Sequence, residues 1–93
     1  MELSQFEREV ITQLSLNLED SQDEVPVITA RTGIFTGIAG FDSLRALEVL
    51  VALEAVFDRE LPPEKVFVKR PTSETTVSDV AKAIKAIVDE AGS

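Results

Sequence analysis

The chain contains no cysteine and no histidine. Without cysteine it has no disulfide, no thiolate metal ligand and no cysteine nucleophile, so any thiol chemistry must come from an attached group. Without histidine it lacks the commonest general base and metal ligand, and its serines lack their usual activating partner. These absences argue against an enzyme with its own catalytic residues, and we expect no metal site.

Basic residues are few compared with acidic ones. Nine Lys and Arg stand against 17 Asp and Glu, which gives a formal net charge of −8. This balance repels nucleic acid and anionic membranes and favours partners with basic surfaces. No run approaches the roughly 20 apolar residues of a membrane span, and MELSQFEREV lacks the pattern of a secretory signal. We therefore expect a cytoplasmic protein that binds no nucleic acid and does not span a membrane.

A length of 93 residues with 44% hydrophobic content suits one domain with one core, so a single domain over residues 1–93 is predicted. Apolar residues at three- and four-residue steps indicate a helix near each end of the chain. The first is predicted over residues 4–17, with a capping box of Ser4 and Glu7. The predicted core-facing residues are Leu3, Phe6, Val10, Leu14 and Leu18 in the first helix, and Val77, Val80, Ala81, Ile84, Ile87, Val88 and Ala91 in the last.

The last helix has two candidate N-caps, Thr75 and Thr76, and Gly92 as its stop signal. Before it, the sequence PEKVFV at residues 63–68 predicts one short helical turn that Val66 and Phe67 anchor.

A further helix is predicted from Ser43 to about Asp58, because this stretch has no Gly or Pro. A helical wheel assigns two faces to it. The predicted core face holds Ala46, Leu47, Leu50, Leu53 and Phe57. The second face holds Leu44, Glu48, Val51, Ala52 and Ala55, with Arg45 at its edge. The second face is more apolar than a solvated surface needs, which indicates an interface, although single exposed apolar residues are ordinary.

The long segment from Glu19 to Phe41 requires its own anchors, because long unstructured loops are uncommon in compact domains. Its apolar residues can pin it across the helices: Val25, Val27, Ile28, Ile34, Phe35 and Ile38. Gly33, Gly37 and Gly40 permit its turns. The acidic run EDSQDE lacks the spacing of a calcium loop and is interpreted as a solvated turn. The predicted fold is thus an all-α four-helix bundle with three longer helices, a short third helix and a long loop between helices one and two.

Ser43 stands where the second long helix begins, and two interpretations are open. In one, Asp42 is the N-cap and the Ser43 hydroxyl lies in the first turn, where unpaired N–H groups and the helix dipole favour an attached phosphate. In the other, Ser43 is itself the cap.

The residues around Ser43 resemble those of acyl carrier proteins, and the resemblance covers nearly the whole chain. Gly40, Asp42, Ser43 and Leu44 match the family's G-x-D-S-L signature. The sequence ALEVLVALEAVFDRELP resembles the family's second helix, TTVSDVAKAI the start of its last helix, and IFTGIAGFDSL its approach to the serine.

This resemblance implies that Ser43 carries 4′-phosphopantetheine, which a Mg²⁺-dependent phosphopantetheinyl transferase moves from coenzyme A, and that the arm's thiol holds acyl groups as thioesters. Asp42 would help to position the hydroxyl and the transferase's metal, beside Leu44. The implied partners are the transferase and acyl-loading and acyl-processing enzymes, which would bind a monomer. The expected docking residues on the second helix are Leu44, Arg45, Glu48, Val51 and Glu54. The acyl chain has a candidate space among Phe6, Leu47, Leu50, Phe57 and Ile84, for which ordinary core packing is the alternative.

The chain departs from many fatty-acid carriers at Arg45, Ala55 and Val56, positions that are often acidic in such carriers. The stretch VFVKRPTSETT is longer and more basic than the usual link into the last helix. A less negative docking helix favours a specialised carrier in a polyketide, modified-lipid or related pathway over the housekeeping fatty-acid carrier. The alternative function is an unmodified helical adaptor that holds a protein partner with its second helix.

Overall fold

A computed structural model describes residues 2–19, 27–34, 43–67 and 75–92 of the chain. These residues form four helices: α1 (Leu3–Glu19), α2 (Ser43–Phe57), α3 (Pro63–Val66) and α4 (Val77–Gly92). None of the described residues lies in a β-strand, although one isolated backbone bridge joins Gly33 to Thr76. The predicted all-α fold of three longer helices and one short third helix is confirmed.

Helix α1 packs against both α4 and α2, and α3 packs against α4. The buried row of α1 consists of the predicted residues Phe6, Val10, Leu14 and Leu18, each at most 1% exposed. Full burial of such a side chain stabilises the fold by about 1.5–3 kcal/mol. The core face of α4 is confirmed as well, with Ile87 and Val88 partly buried against the core and Ala91 outside the described side chains.

Helices α1 and α2 run antiparallel, as two contacts at opposite ends show. Near the start of α1, the ring of Phe6 stacks on that of Phe57 with centroids 5.0 Å apart. Near the end of α1, the Asn17 side chain meets Arg45 at the start of α2. The amino end of α2, which begins at Ser43, therefore lies where α1 finishes.

The predicted core face of α2 was wrong at one position. Leu47 is 45% exposed, whereas Val49, which was not assigned to the core, is 3% exposed. Successive residues turn by about 100°, so Val49 lies closer than Leu47 to the direction that Ala46, Leu50 and Leu53 define. Helix α2 is apolar on most sides, and hydrophobicity alone could not fix which edge faces α1.

The predicted capping box of α1 was also wrong. The helix begins at Leu3, so Ser4 lies inside its first turn. The Glu2 backbone N–H donates to Gln5 Oε1 over 2.9 Å, which makes Glu2 and Gln5 the pair that closes the helix start. The misplacement arose because serine is the stronger N-cap in isolation.

Part of the long loop after α1 is anchored as predicted. Ile28 and Ile34 are buried in the core, but Val27 is 90% exposed, so its assignment as an anchor was wrong. Between the two isoleucines the chain makes a turn in which the Thr32 N–H donates to the Thr29 carbonyl at 3.1 Å. Other predicted parts of the loop lie outside the described residues: Val25, Phe35, Ile38, Gly37, Gly40 and the acidic run after Glu19.

The start of α4 has all four of its first N–H groups paired. Val77 N–H donates to the Thr32 carbonyl and Ser78 N–H to the Ala30 carbonyl, at 3.0 and 2.9 Å. Asp79 N–H donates to Thr76 Oγ1 at 3.2 Å, and Val80 N–H to the Thr76 carbonyl at 3.1 Å. The Val80 N–H thus makes the first bond within the helix. The groups before it have no carbonyl to bind within the helix, and the loop after α1 supplies acceptors for two of them, Val77 and Ser78.

Thr76 is the N-cap of α4, which confirms one of its two candidates. The Thr76 N–H in turn donates to Asp79 Oδ2 at 3.0 Å, so the two residues form a reciprocal capping box. The other candidate, Thr75, is buried and accepts a hydrogen bond from the Ile34 N–H through its carbonyl.

The short helix α3 is anchored as predicted by Val66, which is buried, and by Phe67, which packs against the core. Before it, α2 ends without glycine: Asp58 takes a positive φ of 51°, and the Arg59 N–H donates to the Glu54 carbonyl at 3.3 Å. This is the bond of a Schellman motif, and it turns the chain towards the buried Leu61. Residues 68–74 of the basic link lie outside the described residues.

Thr76→Ala should lower the free energy of unfolding by about 1–2 kcal/mol, because it removes the acceptor for the Asp79 N–H. Thr76→Ser should retain most of the stability. Thr12→Ala, at an exposed position inside α1, is the matched control and should change stability by less than about 0.5 kcal/mol. Urea unfolding followed by circular dichroism measures all three; equal values for Thr76→Ala and Thr12→Ala would contradict the capping role.

Candidate functional site

Ser43 is the first residue of α2, so its backbone belongs to the first turn of the helix and not to the N-cap position before it. The first turn of α2 contains no acidic residue, and Arg45 lies within it. Unpaired N–H groups and the positive end of the helix dipole favour an anionic group at such a position. The Ser43 side chain and the whole of Asp42 lie outside the described part of the chain.

An apolar stripe runs along α2 from its first turn. Leu44 is 67% exposed, Leu47 is 45% exposed and Val51 is 64% exposed, and the exposed Ala55 continues the row. Their spacing of three and four residues places all four on one side of the helix. We call Leu44, Leu47, Val51 and Ala55 the α2 stripe. The predicted docking residues Leu44 and Val51 belong to it, and so does Leu47, which the helical wheel assigned to the core.

Arg45 and Glu48, two further predicted docking residues, form a polar cluster with Asn17 of α1. Arg45 Nη1 lies 3.8 Å from Glu48 Oε1 and donates to Asn17 Oδ1 at 3.4 Å. Asn17 Nδ2 donates in turn to Glu48 Oε1 at 3.3 Å. Both charged side chains are thus held beside α1, and their opposite charges offset each other.

Glu54, the last predicted docking residue, supports the exit from α2. Its Oε2 accepts a hydrogen bond from the Leu61 N–H at 2.9 Å, and the side chain is partly buried. This bond holds the turn that brings Leu61 into the core. No sequence pattern predicts this bond, because the two residues are seven positions apart across an irregular turn.

A sequence profile of the family described as "Phosphopantetheine attachment site" matches residues 9–84. The chain belongs to this family. Its members carry a covalently attached 4′-phosphopantetheine, so the cofactor that the resemblance implied is confirmed, as is a role as a phosphopantetheine carrier. No curated protein and no solved structure gives a significant match to the carrier chain.

The residues expected to border an acyl chain in this carrier divide into two groups. Phe6, Leu50 and Ile84 are buried in the core, and Phe57 is partly buried in its stack with Phe6. Leu47 instead lies on the α2 stripe. A separate surface cavity of about 180 Å³ lies at the far end of α2 and is lined by Gln5, Arg8, Glu9, Val56 and Phe57.

The described ranges hold neither a cluster of metal ligands nor a membrane-spanning helix. No group of three or more Asp and Glu side chains there is arranged to hold a metal ion. Among the same residues, no helix has both the length and the apolar character to cross a membrane.

Glu54→Ala should lower the free energy of unfolding by about 1 kcal/mol, because it leaves the Leu61 N–H without its acceptor. Glu54→Gln should cost less, since an amide oxygen can still accept. Glu48→Ala, which removes a more exposed carboxylate from the same helix, is the control and should cost less than about 0.5 kcal/mol. Urea unfolding measures all three variants. If Glu54→Ala and Glu48→Ala lower the free energy of unfolding equally, the hydrogen bond from the Leu61 N–H to Glu54 does not stabilise the fold.

Proposed function

We propose that the chain is an acyl carrier protein whose 4′-phosphopantetheine arm is attached to Ser43. The main support is that the family match spans residues 9–84 and includes Asp42, Ser43 and Leu44, the centre of the signature. Ser43 also begins a 15-residue helix, where a phosphate is favoured.

Attachment replaces one phosphorus–oxygen bond with another. The Ser43 oxygen forms a bond to the phosphorus next to the pantetheine, the phosphoanhydride bond of coenzyme A breaks, and adenosine 3′,5′-bisphosphate leaves while the hydroxyl proton passes to a base of the transferase. Asp42 helps the transferase to position the hydroxyl and its Mg²⁺. The arm then supplies the thiol that a chain without cysteine lacks.

The product is a phosphodiester, whose negative charge lies at the amino end of α2. The helix dipole and Arg45 both stabilise negative charge at this place, and no acidic residue in the first turn opposes it. Leu44 follows the modified residue directly and is the first exposed contact beside the arm.

The carrier holds acyl intermediates as thioesters and performs no catalysis. A flexible tether raises the effective concentration of its cargo at each active site, so partner enzymes need to bind the chain only weakly. These partners are the phosphopantetheinyl transferase and the synthases, ligases or acyltransferases of fatty-acid, polyketide or related lipid biosynthesis. The low negative charge of α2 favours a specialised pathway. We further propose a cytoplasmic monomer with one domain over residues 1–93.

Docking takes place on α2, next to the arm. Leu44 and Val51 make the apolar contacts, while Arg45, Glu48 and Glu54 border them. The exposure of Leu44 and Val51 supports this assignment.

The direct test is intact-mass measurement after incubation with coenzyme A, Mg²⁺ and a broad-specificity phosphopantetheinyl transferase. The parent chain should gain one phosphopantetheinyl group, and Ser43→Ala should gain none. Ser78→Ala, which changes a serine in the first turn of α4, is the matched control and should be modified like the parent.

If the folded Ser43→Ala variant still gains the group, the arm is attached to a residue other than Ser43. If the folded parent gains no group from this transferase or from that of its own host, the adaptor function is favoured, in which α2 holds a protein partner without an arm. Stable association through α2 that Ser43→Ala leaves unchanged would support that alternative.

A further inference from the structure

We infer, on the basis of the proposed function, that Asn17 of α1 is a positioning residue for the modification of Ser43. Its amide ties the first two turns of α2 to α1, which holds the helix start in the form that the phosphopantetheinyl transferase binds. The observations that carry this inference are the contacts among Asn17, Arg45 and Glu48, the burial of Leu18 and the exposure of the first turn of α2.

The first turn of α2 has little to hold it in the core. Leu44 is 67% exposed, and Arg45 is only partly buried. Among the described side chains of the helix, Ala46 is the first that is buried, and its methyl group buries little apolar surface. Helix ends are among the least stable parts of a fold, with opening free energies that start near zero. A polar contact outside the core can therefore decide whether the turn at Ser43 is formed or frayed.

Asn17 is a fixed point to which this turn is tied. The next residue, Leu18, is 1% exposed, so the core holds the last turn of α1 in place. Asn17 Oδ1 accepts a hydrogen bond from Arg45 Nη1 at 3.4 Å, and Asn17 Nδ2 donates to Glu48 Oε1 at 3.3 Å. One amide thus binds two residues that lie three positions apart on α2, which are neighbours on the helix surface.

An amide is the side chain suited to this place. The Arg45 guanidinium offers only donors and the Glu48 carboxylate only acceptors, so their common partner needs one group of each kind. Asn has both, whereas an ionised Asp has no donor and Lys has no acceptor. Arg45 and Glu48 also lie 3.8 Å apart, which closes the cluster. The cluster therefore restrains α2 through matched hydrogen bonds as well as through charge.

The tie affects modification because the transferase must bring the Ser43 oxygen to one position beside the phosphorus of coenzyme A. Small misplacements of a reacting group are costly in rate. If the transferase binds only chains whose helix start is formed, its apparent affinity falls with the fraction of such chains. Loss of the tie should therefore raise KM for the carrier. It should leave kcat unchanged, because a bound carrier has its helix start formed.

The test compares two variants that each remove an amide from α1. Asn17→Ala removes the tie, and Gln13→Ala is the matched control, because the Gln13 side chain has no hydrogen bond within the described residues. Circular dichroism checks that both variants fold. Transfer by the host transferase is measured over a range of carrier concentrations with coenzyme A saturating. Asn17→Ala should raise KM by about two- to fourfold with kcat within about 1.5-fold, and Gln13→Ala should change neither.

A second measurement examines the helix start without the enzyme. In an α-helix the N–H groups of Leu47 and Glu48 pair with the carbonyls of Ser43 and Leu44, so their exchange with solvent reports the first turn. Amide hydrogen exchange of the unmodified chain is followed by NMR. Exchange at these two groups should be about two- to fourfold faster in Asn17→Ala than in the parent, and within about 1.5-fold of the parent in Gln13→Ala.

A KM that Asn17→Ala leaves at the parental value would overturn the inference. A raised KM without faster exchange would also overturn it, because Asn17 would then act by touching the transferase. In both cases modification of the parent at Ser43 leaves the proposed function standing. A parent that is not modified at all would overturn the proposed function, and with it the role of Asn17.

Discussion

The buried row of α1 packs against both α2 and α4, and the geometry of the candidate site depends on this contact. It fixes α2 at two points: the stack of Phe6 on Phe57 at one end and the cluster of Asn17, Arg45 and Glu48 at the other. Because α2 turns Ala46, Val49, Leu50 and Leu53 inward to meet the core, its opposite side must face outward. The exposure of the α2 stripe is thus a consequence of core packing, and so is the placement of Ser43 at the end of the bundle where α1 finishes.

The loop after α1 does more than connect two helices, because it also pairs with the start of α4. Its carbonyls at Ala30 and Thr32 pair the first N–H groups of α4, while Ile28 and Ile34 enter the core. Buried N–H groups without partners are costly, so the loop and α4 stabilise each other. Farther along the chain the same loop reaches Ser43, the first residue of α2.

Much of this structure is visible in the sequence, because the strongest patterns are local. The rows of α1 and α4, the cap at Thr76 and the anchors Ile28, Ile34 and Val66 follow from periodicity and from cap chemistry. The errors about burial have one physical cause: the pattern of a helix that is apolar on most sides, or of a loop, does not say which neighbour it meets. Leu47 was assigned to the core, Val49 was not, and Val27 was assigned an anchor that it does not form. The hydrogen bonds that the Leu61 N–H donates to Glu54 and that Arg45 donates to Asn17 depend on how the chain folds back on itself, and no sequence pattern predicts them.

Attachment of the arm to Ser43 is tested most directly by tandem mass spectrometry of the chain isolated from its own host. Trypsin cleavage after Arg31 and Arg45 releases the peptide TGIFTGIAGFDSLR, in which Ser43 is the only serine. This peptide should carry one phosphopantetheinyl group, and fragment ions should place the group on Ser43. Attachment at Ser43 would be contradicted if the fragment ions assign the group to Thr32 or Thr36. It would also be contradicted if this peptide is unmodified in protein that carries the group on another peptide.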